Sequence, residues 1–106
     1  MLKFIVVLYK LPPLSERDFA EYLRKVHGPM AEKIPGLRKY IQNYPARDAK
    51  RKHPGWNAVV ELYFDDWNAM EAAWRSAEGA AATADLANFA DLVHTTWSAV
   101  EERIVR

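Results

Sequence analysis

Residues Leu2 to Tyr9 read LKFIVVLY, a run of β-branched and aromatic side chains with one charge. A strand with one wet face alternates apolar and polar residues; an unbroken apolar run belongs to a strand covered on both faces. The chain has 106 residues. That length holds one domain with one core, residues 1–106, so its helices can cover only one side of a sheet. The other side has to be covered from outside the chain.

Leu11, Pro12 and Pro13 end this strand. Leu14-Ser15-Glu16-Arg17-Asp18-Phe19 then reads as a helix start, with Ser15 as N-cap, Asp18 at the reciprocal position and Leu14 stapling onto Phe19. Phe19, Tyr22, Leu23, Val26 and Met30 recur at helical spacing and form one apolar stripe, with His27 at its edge. Pro29 cannot donate a backbone hydrogen bond, so the spacing predicts a bent helix from 16 to about 34, broken near Gly28 and ended by Pro35-Gly36. Leu37 to Tyr44 and Asn57 to Phe64 follow as strands, the second alternating Ala58, Val60, Leu62 and Phe64 with Asn57, Val59, Glu61 and Tyr63. Between them Pro45 to Trp56 is too long for a tight hairpin. Asp65 or Asp66 caps a next helix carrying Trp67, Met70 and Trp74 on one core-facing side, with Gly79 as its stop. Ten of the 22 residues from Ala69 to Ala90 are alanine, which suits close helix packing. A further helical piece carries Leu86, Phe89, Ala90 and Val93, and Thr95 to Val105 is the last strand, although its alternation falters at Glu101 and Glu102.

The order β, α, β, β, α, β is that of a ferredoxin-like α+β unit, a four-stranded antiparallel sheet with both helices on one face. The bare face would expose more apolar surface than a monomer normally shows. A homodimer packed sheet to sheet, an α+β barrel of two chains, covers it.

The remaining composition removes whole classes. The chain has no cysteine, which excludes disulfides, Fe–S clusters, thiolate zinc sites and a cysteine nucleophile. Its three histidines lack ligand spacing, so no metal is expected. There is no G-x-S-x-G and no glycine-rich phosphate loop, and length and topology together exclude a dinucleotide-binding unit. A net charge of +1 argues against nucleic acid, and the short basic run Lys50-Arg51-Lys52-His53 with Arg47 reads as a solvated loop or an anion's landing site. No apolar stretch is long enough for a membrane span, and Met1 to Tyr9, with Lys3 inside it, is too short for a signal peptide; the expectation is a soluble cytoplasmic protein.

Val26-His27-Gly28-Pro29 followed by Ile34-Pro35-Gly36-Leu37-Arg38-Lys39-Tyr40 resembles the signature of EthD-like proteins in the dimeric α+β barrel superfamily, and the element order agrees along the whole chain. The resemblance implies a homodimer with a small-molecule pocket between helix and sheet, usually without cofactor. It also implies a link to oxidative breakdown of small organic compounds. Superfamily relatives include lactone isomerases, polyketide cyclases and cofactor-free monooxygenases. By the same resemblance His27 matches the histidine of the HGP step and Tyr40 the strand tyrosine.

An imidazole transfers protons at neutral pH, which makes His27 the first candidate for catalysis; it equally suits a structural tie across the bent helix. Tyr40 could polarise a carbonyl or hold an enol, or simply pack in its strand. Tyr22, Trp56 and Tyr63 are candidates to line a pocket for a small hydrophobic or aromatic ligand. His94 fits a terminal helix carbonyl. The leading expectation is a cofactor-independent enzyme, of oxidoreductase (monooxygenase) or proton-transfer isomerase or cyclase type. The alternative is a non-catalytic dimeric accessory or ligand-binding protein.

Overall fold

The computed structural model describes residues 1–106. Strand β1 (Leu2–Leu8) lies inside an antiparallel sheet, flanked by β3 (Ala58–Phe64) and β4 (Thr96–Glu101), with β2 (Lys39–Asn43) on the far edge of β3; the order is β2-β3-β1-β4. Val6 opposes Val60 and Trp97, and Ile5 opposes Glu61 and Ser98. This register turns Leu2, Val6, Leu8, Val60, Leu62 and Phe64 to one face, where they are buried under the helices. Ile5, Val7, Val59 and Tyr63 are left half-buried on the other. The doubly apolar first strand is therefore real, and only one of its faces is covered within the chain.

Helix α1 (Glu16–Tyr22) begins where the sequence places it. The Ser15 hydroxyl accepts from the Asp18 N–H at 3.0 Å, although only this half of the reciprocal cap forms. The expected break at Gly28-Pro29 is instead a π-turn, Leu23–His27, leading directly into α2 (Gly28–Glu32), so the helix continues through Pro29, which has no N–H to donate back to the preceding turn. The π-turn takes up one extra residue. At about 100° per residue, Val26 would stand under Phe19 and His27 about 80° aside in an unbroken α-helix. With the extra residue, Phe19, Leu23 and His27 share the buried line and Val26 is 44% exposed, which removes Val26 from the core stripe.

The alanine-rich half differs more from expectation. Helix α3 (Trp67–Arg75), capped by Asp66, stops at Ser76, not Gly79. The Ser76 hydroxyl donates to the Ala73 carbonyl (2.6 Å) and accepts from the Gly79 N–H (2.9 Å), closing one helix and opening α4 (Ala77–Asp85). Gly79 serves close approach, not termination: a Cβ there would collide with the Ala73 carbonyl. The further helical piece is one 3₁₀ turn, Leu86–Asn88; Phe89 and Ala90 are buried but Val93 is fully in solvent. β4 ends at Glu101, where the alternation falters, leaving Ile104 and Val105 exposed. No helix is long and apolar enough to cross a membrane.

Candidate functional site

The π-turn that carries His27 inward also sets its partners. His27 is 7% exposed, its ring centroid 4.9 Å from that of Phe89, and its Nδ1 lies 2.9 Å from Asp85 Oδ2 at the end of α4. Asp85 Oδ1 accepts from the Tyr22 hydroxyl at 2.7 Å and from Asn88 Nδ2 at 3.0 Å. Burial pushes the Asp85 carboxyl up, but hydrogen bonds from Tyr22, Asn88 and His27 outweigh it and hold the group below its ordinary value. An ionised carboxylate only accepts, so Nδ1 must carry the proton and neutral His27 keeps its lone pair on Nε2. Nε2 makes no hydrogen bond, yet no buried side-chain nitrogen or oxygen lacks a partner. It is therefore open to the cavity that His27 lines. Burial drives the His27 pKa down against the opposing pull of the Asp85 hydrogen bond and charge, so the ring is a neutral base at neutral pH.

The cavity has a volume of about 590 Å³ and lies between the inner sheet face and the helices; 15 of its 19 lining residues are hydrophobic. Tyr40 lines it with His27. Burial raises the Tyr40 pKa, countered in part by Gln42, so the phenol stays protonated. Gln42 Nε2 donates to the Tyr40 oxygen (3.1 Å) and to the Leu23 carbonyl (3.2 Å), and its Oε1 accepts from the Tyr44 hydroxyl (2.8 Å). Because a carbonyl can only accept, the amide orientation is fixed, and the Tyr40 O–H proton remains free for a ligand. Gly28 makes room for this, since a Cβ there would stand 2.9 Å from both Gln42 Nε2 and the Leu23 oxygen.

The other sequence candidates are distributed differently. Tyr22 belongs to the Asp85 network and packs on Phe89 without lining the cavity. Tyr63 lies on the opposite, open sheet face, its hydroxyl donating to Glu102 (3.0 Å). Trp56, half-buried before β3, does not line the cavity that holds His27 and Tyr40. Trp67, expected in the core, is 55% exposed at the cavity wall, while Trp74 stacks edge-on with Phe4 and Phe64. His94 pairs with Asp91 (2.7 Å) instead of a helix carbonyl. Sequence reasoning missed Asp85, Gln42 and Trp97. The available signal for Asp85 was its register: it follows Gly79 and Ala82 at three-residue steps on the packed side of α4, where a carboxylate needs partners.

No group of three or more His, Asp or Glu side chains gathers where a metal could be held. The basic loop lines a groove of about 450 Å³ with Glu16 and Arg17; His53 pairs with Glu16 (2.8 Å) and Arg51 with Asp48 (3.0 Å).

An ethyl tert-butyl ether D (EthD) family protein from Bacillus halodurans is 30% identical, superposes with a TM-score of 0.83, and covers 97% of this chain and 99% of its own. A dimeric ferredoxin-like protein of unknown function from Bacteroides fragilis is 16% identical (TM-score 0.69; 95% of each chain), and SnoaB, a cofactor-independent oxygenase from Streptomyces nogalater, is 12% identical (TM-score 0.66; 98% of this chain, 94% of that one). At those identities the likeness is one of fold. No curated protein matches the chain in sequence. The EthD domain model matches residues 11–93, and with a 30% identical relative over nearly the whole length the chain belongs to the EthD family.

Proposed function

We propose that this protein is a cofactor-independent proton-transfer enzyme acting on a small organic carbonyl compound, with His27 as the base. The observation that carries this is the Asp85–His27 pair, which presents an unprotonated Nε2 to an apolar cavity. Nε2 takes a proton from the carbon next to the substrate carbonyl. The Tyr40 hydroxyl donates to the carbonyl oxygen as it gains charge, and Asp85 stabilises the imidazolium. Return of the proton to a different carbon gives isomerisation. The same first step serves an oxygen-dependent reaction, the activity by which SnoaB is described.

The proposal includes a cytoplasmic homodimer joined through the open sheet face. Half-buried Ile5, Val7, Ile41, Val59 and Val100 support it, as do structural neighbours described as dimeric. Sedimentation at low micromolar concentration should find twice the chain mass, and a stable monomer near 12.2 kDa would remove the dimer.

Deuterium uptake at the α-carbon of 2-tetralone tests the chemistry without knowledge of the natural substrate. Wild type should accelerate exchange over buffer and His27→Gln should lose about 10²- to 10⁴-fold of it. Equal rates for wild type, variant and buffer would defeat the proposal and favour a binding protein.

A further inference from the structure

The cavity's charge and its rim say which carbonyl compounds it can admit. Among its 19 lining residues there is no lysine and no arginine, and the one acid is Glu71, one turn after Trp67 on α3. An anionic ligand would leave water for a wall that offers it no cation and one like charge. The rim is aromatic. Trp67 from α3 and Trp97 from the edge strand β4 are 55% and 57% exposed while lining the same cavity. Unlike Trp74, neither has an aromatic partner. Large indole faces left half in water at the rim of a mostly apolar cavity of about 590 Å³ match a flat, fused-ring guest in size and in surface.

We propose that the site selects uncharged, planar polycyclic ketones or phenols and rejects their carboxylated counterparts, with Trp67 and Trp97 as the residues that grip the ring system. This rests on the reading of the cavity as the substrate site. His27 and Tyr40 then meet the ring oxygen and its neighbouring carbon, while the indoles hold the remote rings, and Glu71 adds repulsion against acids.

The test uses a matched pair, 9-fluorenone and 9-fluorenone-2-carboxylate, titrated calorimetrically into the full-length protein. Fluorenone should bind at least about tenfold more tightly than the carboxylate. Trp67→Leu and Trp97→Leu should each weaken fluorenone by about tenfold, the worth of a good aromatic contact, with melting temperatures near wild type because both side chains are half exposed. Thr83→Arg, which puts a cation on the cavity wall from the exposed side of α4, should restore carboxylate binding. Equal affinity for the two probes, absence of fluorenone binding, or tryptophan variants that bind like wild type would each overturn the proposal. His27→Gln separates it from the proton-transfer reading. That variant should keep the preference for fluorenone, so the preference can stand where tetralone exchange fails, and exchange can stand where the preference is absent.

Discussion

Replacing Asp85 with asparagine changes one atom and should invert the histidine it faces. The carboxylate accepts three hydrogen bonds, from Tyr22 at 2.7 Å, His27 at 2.9 Å and Asn88 at 3.0 Å. In Asp85→Asn the amide oxygen can stay with Tyr22 and Asn88, which leaves the NH₂ facing His27 Nδ1. Two donors cannot share that contact, so His27 should move its proton to Nε2 and accept at Nδ1. The base pointing into the cavity is then gone although the ring has not moved. Hydrogen bonds to a charged group are worth roughly 1.5–3 kcal/mol net, and an isosteric amide recovers part of each. The cost in stability should therefore be about 1–3 kcal/mol, while proton exchange on 2-tetralone should fall by the full ~10²–10⁴ of a lost general base. Nitrogen-15 NMR of the imidazole reads the tautomer directly, with no substrate, and urea midpoints give the stability. A variant ring that still carries its proton on Nδ1, with unchanged exchange, would refute the assignment of Asp85 as the residue that positions His27.

Acid should destabilise the fold in two separate windows. The folded His27 pKa lies below its ordinary 6.5, so the unfolded chain binds more protons: stability is complete above about pH 6.5 and falls as pH drops through that value toward the folded pKa, by about 1.4 kcal/mol per unit of difference. Asp85, held below 3.8, contributes stability that is lost as pH falls beneath that value toward its folded pKa. Urea midpoints from pH 4.5 to 8 should show the first window in wild type and a flat line in His27→Gln; parallel slopes would contradict a buried neutral ring. Gly79→Ala should cost at least ~1–3 kcal/mol by forcing a methyl against the Ala73 carbonyl, and an unchanged thermal midpoint would mean that the α3–α4 corner relaxes freely. Ser15→Ala should lower stability by about 0.5–2 kcal/mol through loss of the cap on Asp18 N–H, which denaturant midpoints would measure.

The parts of this fold that could be read in advance are those where one local rule acts alone. Leu2 to Leu8 is apolar on both sides because it is central, Ser15 and Asp66 cap because their side chains reach free N–H groups, and β3 alternates because it has two different faces. The errors fall where a residue answers to a neighbour distant in sequence. Gly79 has the chemistry of a helix stop, but the backbone of the preceding helix passes so close that only glycine fits. Val26 sits at perfect α spacing and is displaced by a π-turn whose Leu23 carbonyl is answered from β2 by Gln42. His27 and Tyr40 were legible through a motif and both line the cavity, whereas Asp85, 58 residues beyond His27, was hidden in an alanine-rich stretch. Tyr63 and Trp56 have the right chemistry for a pocket, but strand alternation sends the first to the other face, and the second stands outside the cavity of His27 and Tyr40.

The π-turn also bears on ancestry. A helix can absorb a single inserted residue only by bulging, and the segments before and after Leu23–His27 keep the phase of a shorter uninterrupted helix. Deleting Arg24 should heal the bulge and still leave Phe19 and His27 on one side, at the seven-residue interval of an ordinary heptad. The Leu23 carbonyl, which in the π-turn accepts from the Gly28 N–H and from Gln42 together, would keep Gly28 as an ordinary i+4 donor and close the widened turn that Gln42 reaches into, so the hydroxyl of Tyr40 would lose its fixed orientation. An insertion of one residue is thereby tied to the aim of a side chain on another strand. Kin of this chain that lack the extra residue are expected to lack a glutamine at the position of Gln42 as well.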